Sequence, residues 1–222
     1  MPLRDVVCLA NSRKLRGTCV AGLATDGTGW VRPIGRSATQ ELAWDERQLD
    51  DASEPQPFDV VRMDLDGWEP TEHQRENWRI GRHRWVLVQR PASQTLSGLI
   101  RDAVTQSPPF GDARDRVPVD ERPQGSLQLI RPLGLEWQVR ATLYGKKQIR
   151  ALFAVGGDRC NLVVTDPVVE RRMEPYGPGV WPFEFAGLNS RHGVLLTVSL
   201  GERFEGCYFK LVAAVLCPPW RV

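Results

Sequence analysis

Val6-Val7-Cys8-Leu9-Ala10-Asn11-Ser12-Arg13-Lys14, then Gly17-Thr18-Cys19-Val20-Ala21-Gly22-Leu23-Ala24, then Gly29-Trp30-Val31-Arg32-Pro33-Ile34: three short runs rich in valine open the chain. Each reads as a β-strand, with strand cores at 5–10, 17–24 and 29–34. Asp26-Gly27 between the second and third reads as a hairpin turn. The first strand runs into a polar, basic turn, Asn11 to Lys14. The third presents Trp30 and Arg32 two residues apart, which on a regular strand puts both on one face. Strand ends that carry amide, hydroxyl and guanidinium groups suit polar, often anionic, ligands.

Strand-like runs continue along the chain, at 58–66, 84–89, 126–131, 135–143, 148–155, 160–165, 193–199 and 207–216. Several alternate in polarity, and turn residues such as Gly156-Gly157 and Pro218-Pro219 punctuate them. Helix signals are few. Residues 93–106 begin at a serine and space Leu96, Leu99, Ile100 and Val104 as one amphipathic helix. Pro167 directly after Asp166 predicts a short helix over 167–173, with Asp166 as its N-cap. Residues 107–125 are proline-rich and charged and read as a linker or long exposed loop. The pattern predicts a mostly β protein: two small OB-like five-stranded barrels with one or two short helices. The expected domains are 1–106 and 126–222, joined by 107–125. A single large β-sandwich is the structural alternative.

Composition narrows the function. The chain has 222 residues, 41% apolar and 25% charged, the profile of a soluble globular protein. No apolar run approaches the roughly 18 residues of a membrane span, and the N-terminus lacks the layout of a signal peptide, so a cytoplasmic location without membrane contact is expected. The five cysteines form no CxxC pair, and the three histidines are scattered. No metal site and no cofactor are expected on that spacing. The net charge of +2 hides alternating blocks. Residues 1–36, 73–101 and 126–160 are basic and hold four of the eight tryptophans, whereas 37–72 is strongly acidic. Basic segments with aromatics fit a nucleic-acid surface. Arginine dominance over lysine also fits a GC-biased coding sequence, which tempers that reading.

The candidate binding residues follow from these blocks. Asn11, Ser12, Arg13 and Lys14 suit a phosphate or carboxylate, and a solvated loop is the plain alternative. Trp30 with Arg32 can stack a base and hold a phosphate, or simply pack together. His73-Gln74-Arg75-Glu76-Asn77-Trp78 concentrates recognition chemistry, with His73, Asn77 and Trp78 foremost. His73 and Glu76 can form an acid–base pair, but no nucleophile accompanies them. Asp166 is a helix cap or a ligand-facing carboxylate. Lys210 lies in an apolar strand and needs a partner, for which Asp166 is the candidate.

The segments CLANSRK, GTCVAG, GWVRPI, HQRENW, CNLVVTDP and CYFKLVAAV, in that order from Val6 to Leu216, resemble the bacterial dual OB-containing domain family. The resemblance implies two OB-fold units and recognition of nucleic acid or a nucleotide. It also implies that Ser12, Arg13, Lys14, Trp30, Arg32, His73, Asn77, Trp78, Asp166 and Lys210 fall in the family's patterned blocks. The expectation is a non-catalytic module that binds single-stranded nucleic acid or a nucleotide through a basic, Trp-containing cleft. The alternatives are an enzyme on such ligands with His73, Glu76 or Asp166 as acid or base, and an adaptor for an effector protein partner.

Overall fold

The computed structural model of the chain describes residues 3–14, 17–142 and 145–222; Leu143, in the expected strand 135–143, lies outside them. The described residues divide into two compact units. The first comprises residues up to Asp102 with Gln124–Ser126 and Pro219–Val222, and the second Ala103–Pro123 with Leu127–Pro218.

The first unit contains β1 (Leu3–Lys14), β2 (Gly17–Ala24), β3 (Trp30–Ile34), α1 (Trp44–Arg47), β4 (Val60–Trp68), β5 (Asn77–Ile80), β6 (Val86–Gln89) and α2 (Ser97–Asp102). β1 is long enough to pair on both edges. Leu3 to Val7 lie antiparallel to β4, and Val6 to Lys14 antiparallel to β2, with a register slip between Cys8 and Ala10. Such bulges bend a strand, and a bent β1 is what a tight ring needs. The strand order β1-β2-β3-β5-β4 returns to β1, which closes a five-stranded barrel, and β6 adds to β4 outside the ring. β3 and β5 run parallel. Alternate residues, Val6 and Cys8, then Val61, Met63 and Leu65, fill the interior with Val20, Val31, Ile80 and Trp85. Burial of each large apolar side chain contributes roughly 1.5–3 kcal/mol. Gly27, in the predicted hairpin turn, takes a left-handed φ of 79° that its missing Cβ permits.

The second unit contains β7 (Val104–Thr105), β8 (Arg116–Pro118), β9 (Leu127–Ile130), β10 (Leu133–Ala141), β11 (Lys147–Val155), β12 (Asp158–Val164), α3 (Pro167–Met173), β13 (Gly179–Pro182), β14 (Leu195–Phe204) and β15 (Cys207–Leu216). The central order β10-β11-β12-β15-β14 repeats that of the first unit, including a parallel pair, β12 with β15. This sheet does not close as the expected second barrel would. The free edge of β10 is taken by β13 and that of β14 by β9, so the two edges that would have to meet are already paired. The result is an open, OB-like sheet. Its core holds Trp137, Val139, Ile149, Ala151, Phe153, Leu162, Val164 and Val212, with Val169 and Met173 of α3 packed on them.

Each of the expected strands has a counterpart, and β5, β7, β8 and β13 are additional. The helix expected over 167–173 is α3. The helix expected over 93–106 is shorter: a 3-10 turn, Gln94–Leu96, leads into α2, which ends at Asp102. Val104 and Thr105 leave the helix because they pair, parallel, with Leu129 and Ile130 of β9, an extended geometry that suits β-branched residues. Residues 107–125, expected as linker or loop, hold β8 and 3-10 turns at Pro109–Gly111 and Val119–Glu121. No helix among the described residues is long and apolar enough to cross a membrane.

Candidate functional site

The segment Asn11 to Lys14 is not a turn. It is the end of β1, paired with β2 from Asn11 opposite Val20 to Lys14 opposite Gly17. Strand periodicity therefore splits the four residues between two faces. Ser12 is buried, Arg13 exposed, and Asn11 and Lys14 half-buried. The Asn11 Nδ2 donates to the Pro55 carbonyl at 2.8 Å, which fastens the acidic stretch to this strand.

Trp30 and Arg32 sit on β3 opposite Leu23 of β2 and Asn77 of β5. Arg32 is only 6% exposed. Its backbone amide donates to the Glu76 carbonyl at 2.9 Å, and its Nη1 to the Ser126 hydroxyl at 3.3 Å. Ser126 in turn donates its amide to Glu76 Oε1 at 3.1 Å, and its hydroxyl to the same carboxylate. The Asn77 Nδ2 donates to Gln74 Oε1 at 3.2 Å, and His73, Gln74, Glu76 and Asn77 are all buried. The structure thus brings Arg32, Glu76 and Asn77 together as a buried hydrogen-bonded cluster that anchors the β4–β5 connection. The Glu76 carboxylate is engaged by Ser126 there.

Trp78 is half-buried, and one face of its ring is covered by Arg4, whose guanidinium carbon lies 4.2 Å from the ring centroid. Opposite it in the β4–β5 pair, Trp68 is 59% exposed and donates its indole N–H to the Arg75 carbonyl at 2.6 Å. Trp68 lies in the acidic block 37–72, just beyond the expected strand 58–66, and its exposure carries no local sequence signal.

In the second unit, Asp166 caps α3. Its Oδ1 accepts the amides of Val168 at 2.8 Å and Val169 at 3.3 Å, and its Oδ2 accepts that of Val215 at 2.8 Å. Burial pushes its carboxyl above the usual aspartate range although the three amides pull the other way. Asp166 is not the partner of Lys210. That ammonium, with its side chain fully buried, donates to the carbonyl and to Oδ1 of Asp112, at 2.9 and 2.7 Å. The reason is position along β15: Asp166 meets Val215, whereas Lys210 lies beside the segment that enters β8. Burial opposes ionisation of Asp112, but hydrogen bonds from Arg114 and Lys210 outweigh it and hold the carboxyl below the usual range.

A further group of polar residues lies on the outer face of the second sheet. The inward row of β11, Ile149, Ala151 and Phe153, leaves Gln148, Arg150 and Leu152 pointing outward. Register places Gln138 of β10, Arg150 of β11 and Val163 of β12 side by side. The Arg150 Nε donates to Asn161 Oδ1 at 2.5 Å and its Nη2 to the Asn161 carbonyl at 2.6 Å. The Asn161 Nδ2 continues the chain to Gln138 Oε1 at 3.2 Å, and Arg150 Nη1 reaches Gln148 Oε1 at 3.3 Å. Burial draws the Arg150 pKa down, but so basic a group stays charged at neutral pH. Sequence reading missed Gln138, Arg150 and Asn161. The available signal was strand alternation, which marks them as outward-facing but not as neighbours.

All five cysteines are free, and burial raises the thiols of Cys8 and Cys160 to about 12 and about 11. Among the described residues no group of His, Cys, Asp or Glu converges as a metal site.

Comparison with known proteins adds a family match. The model of the dual OB-containing domain matches residues 4–215. No curated protein matches the sequence. Among solved structures the chain is similar to the crystal structure of the tetrameric p202 HIN2, at 10% identity over 97% of this chain and 90% of that one. The TM-score is 0.29, too low to bear on fold or ligand.

Proposed function

The chain belongs to the dual OB-containing domain family, and from that premise we propose that it is a non-catalytic binding module for single-stranded nucleic acid or a nucleotide. The observation that carries this reading is the outer face of β11 and β12. These strands hold the second and third places in the order β10-β11-β12-β15-β14. OB folds seat oligonucleotides on their second and third strands. In this chain that face bears Arg150, Asn161, Gln138 and Gln148, preorganised by their mutual hydrogen bonds.

The chemistry suits the ligand class. Amides on a fixed scaffold pair with base edges, and a guanidinium meets phosphate or guanine. In the first unit, Arg13, Lys14, Trp30 and Trp78 keep exposed or half-exposed surface and are proposed as further contacts. Ser12, Arg32, His73 and Asn77 in the first unit, and Asp166 and Lys210 in the second, are buried and are proposed as scaffold of their own units.

The test is a titration of labelled single-stranded oligonucleotides at low salt, alongside thermal shifts with free nucleotides. Saturable binding that weakens with salt and with loss of Arg150 is expected. Absence of both binding and thermal shift sinks the proposal. Binding that is indifferent to Arg150, Asn161, Trp30 and Trp78 alike would reduce it to general electrostatics.

A further inference from the structure

On the outer face of the second unit, Asp115 stands between two guanidinium groups. Its Oδ1 accepts from Arg116 Nε at 2.9 Å and its Oδ2 from Arg150 Nη2 at 3.5 Å. Arg116 lies opposite Phe209 in the β8–β15 pair, with its guanidinium carbon 4.7 Å from the ring centroid. Phe209 contacts Phe204, their centroids 6.2 Å apart, and Phe204 is 61% exposed. The backbone holds the acid in this place: the Lys210 amide donates to the Asp115 carbonyl at 2.8 Å.

Two guanidinium groups converging on one carboxylate form the electrostatic counterpart of a phosphate site, since carboxylate and phosphate present the same pair of acceptor oxygens to arginine. An exposed ring beside them is a surface on which a base stacks. Cations and platform are both present, and the anion between the cations belongs to the chain itself. The Asp115 side chain is 31% exposed, so a ligand reaches it without unfolding of the sheet.

We propose that Arg116 and Arg150 form a seat for one phosphate of a nucleic-acid strand, with Phe204 and Phe209 as the adjoining base platform, and that Asp115 is a built-in competitor which the ligand phosphate displaces. The inference rests on the binding function proposed above and assigns its phosphate contact. Simple anions lack the stacking contribution of a base and so displace Asp115 less readily than a strand does.

The experiment compares the intact chain with Asp115→Asn, Asp158→Asn and the double variant Asp115→Asn/Arg150→Gln. Each is checked for an unchanged melting transition and titrated with a short labelled oligothymidylate over a range of salt. Asp158 lies at the start of β12 and is exposed, so its change removes one charge without freeing an arginine. The inference expects Asp115→Asn to bind several-fold more tightly at low salt, because the same phosphate contact is made without an internal acid to displace, and to keep a salt dependence of binding. It expects the gain to vanish in the double variant and to be absent in Asp158→Asn. Equal gains in Asp115→Asn and Asp158→Asn, or a gain that survives loss of Arg150, overturn the competitor role and leave the binding function standing. No binding by any of the four proteins overturns the binding function, and the phosphate seat with it. If Asp115→Asn melts early, Asp115→Ser replaces it and is expected to show the same several-fold gain, whereas an affinity equal to that of the natural chain overturns the competitor role.

Discussion

Asp166 accepts the backbone amide of Val215 at 2.8 Å, so one carboxylate both caps α3 and ties that helix to the last strand. Loss of an N-cap costs about 0.5–2 kcal/mol, and an orphaned buried amide about 1–3 kcal/mol more. Asp166→Ala is therefore expected to lower the unfolding free energy by roughly 2–4 kcal/mol in urea denaturation. A loss of only a few tenths would show that the Val215 contact contributes nothing.

The same residue carries a pH signature. Burial raises its folded-state pKa above the unfolded value of about 3.9. The native state then holds the proton more tightly than the unfolded chain. Its contribution is fully present below the unfolded pKa and is lost as pH rises through the folded one. The stability advantage of the natural chain over Asp166→Asn should accordingly shrink from acid toward neutral pH. A difference that stays flat or grows with pH contradicts the assignment.

Lys210 and Asp112 predict an asymmetry. Asp112→Asn leaves an ammonium buried without its counter-charge, and breaking a buried pair this way costs on the order of 3 kcal/mol. Lys210→Met removes the buried charge and keeps the apolar stem, so it is expected to cost less than half as much. Chemical denaturation of both variants decides it, and equal losses would mean that the pair behaves as a solvent-screened surface contact.

Gly81 packs against the Asp64 carboxylate, where a Cβ would lie 2.2 Å from Oδ2. That carboxylate also accepts the His83 amide at 2.9 Å, so it cannot move without releasing the turn. Gly81→Ala should destabilise the first unit by about 1–3 kcal/mol, as overpacking does. Gly67→Ala, with no atom within 4 Å of the new Cβ, is the reference and should be nearly neutral. A shared small effect on the melting temperature would count against the close approach.

Binding is expected to follow the second unit's outer face. Asn161→Ala should weaken oligonucleotide affinity by about 1–3 kcal/mol, the worth of one well-placed bidentate contact. Ser199→Ala, on β14 and away from the Arg150 cluster, is the comparison. Indistinguishable affinities for these two variants would move the ligand elsewhere.

The strands were legible because their pattern is local: β11 and β12 alternate inward and outward residue by residue, and β-branched side chains mark them. Asn77–Ile80 and Gly179–Pro182 were not, since segments of four residues become strands only through partners contributed by distant sequence. The candidate site divides in the same way. The cap made by Asp166 could be read from the proline that follows it. The partner of Lys210 could not, because Asp112 lies 98 residues away. Arg150 and Asn161 looked like ordinary solvent-facing residues until register placed them together. The buried cluster of Arg32, Glu76 and Asn77 was conspicuous as chemistry, but Ser126, which hydrogen-bonds Arg32 and Glu76, lies 50 residues or more along the chain.

The contrast between a ring and an open sheet also sets where the molecule yields first. In the first unit each of β1 to β5 has a hydrogen-bonded neighbour on both sides, so none can detach without breaking two ladders. In the second unit β13 and the two-residue β7 end the sheet and are held from one side only. Amide hydrogens should therefore exchange early from Val180 and Val104 and late from Val61 and Val7, with release spreading inward from the sheet's ends while the ring opens as one cooperative piece.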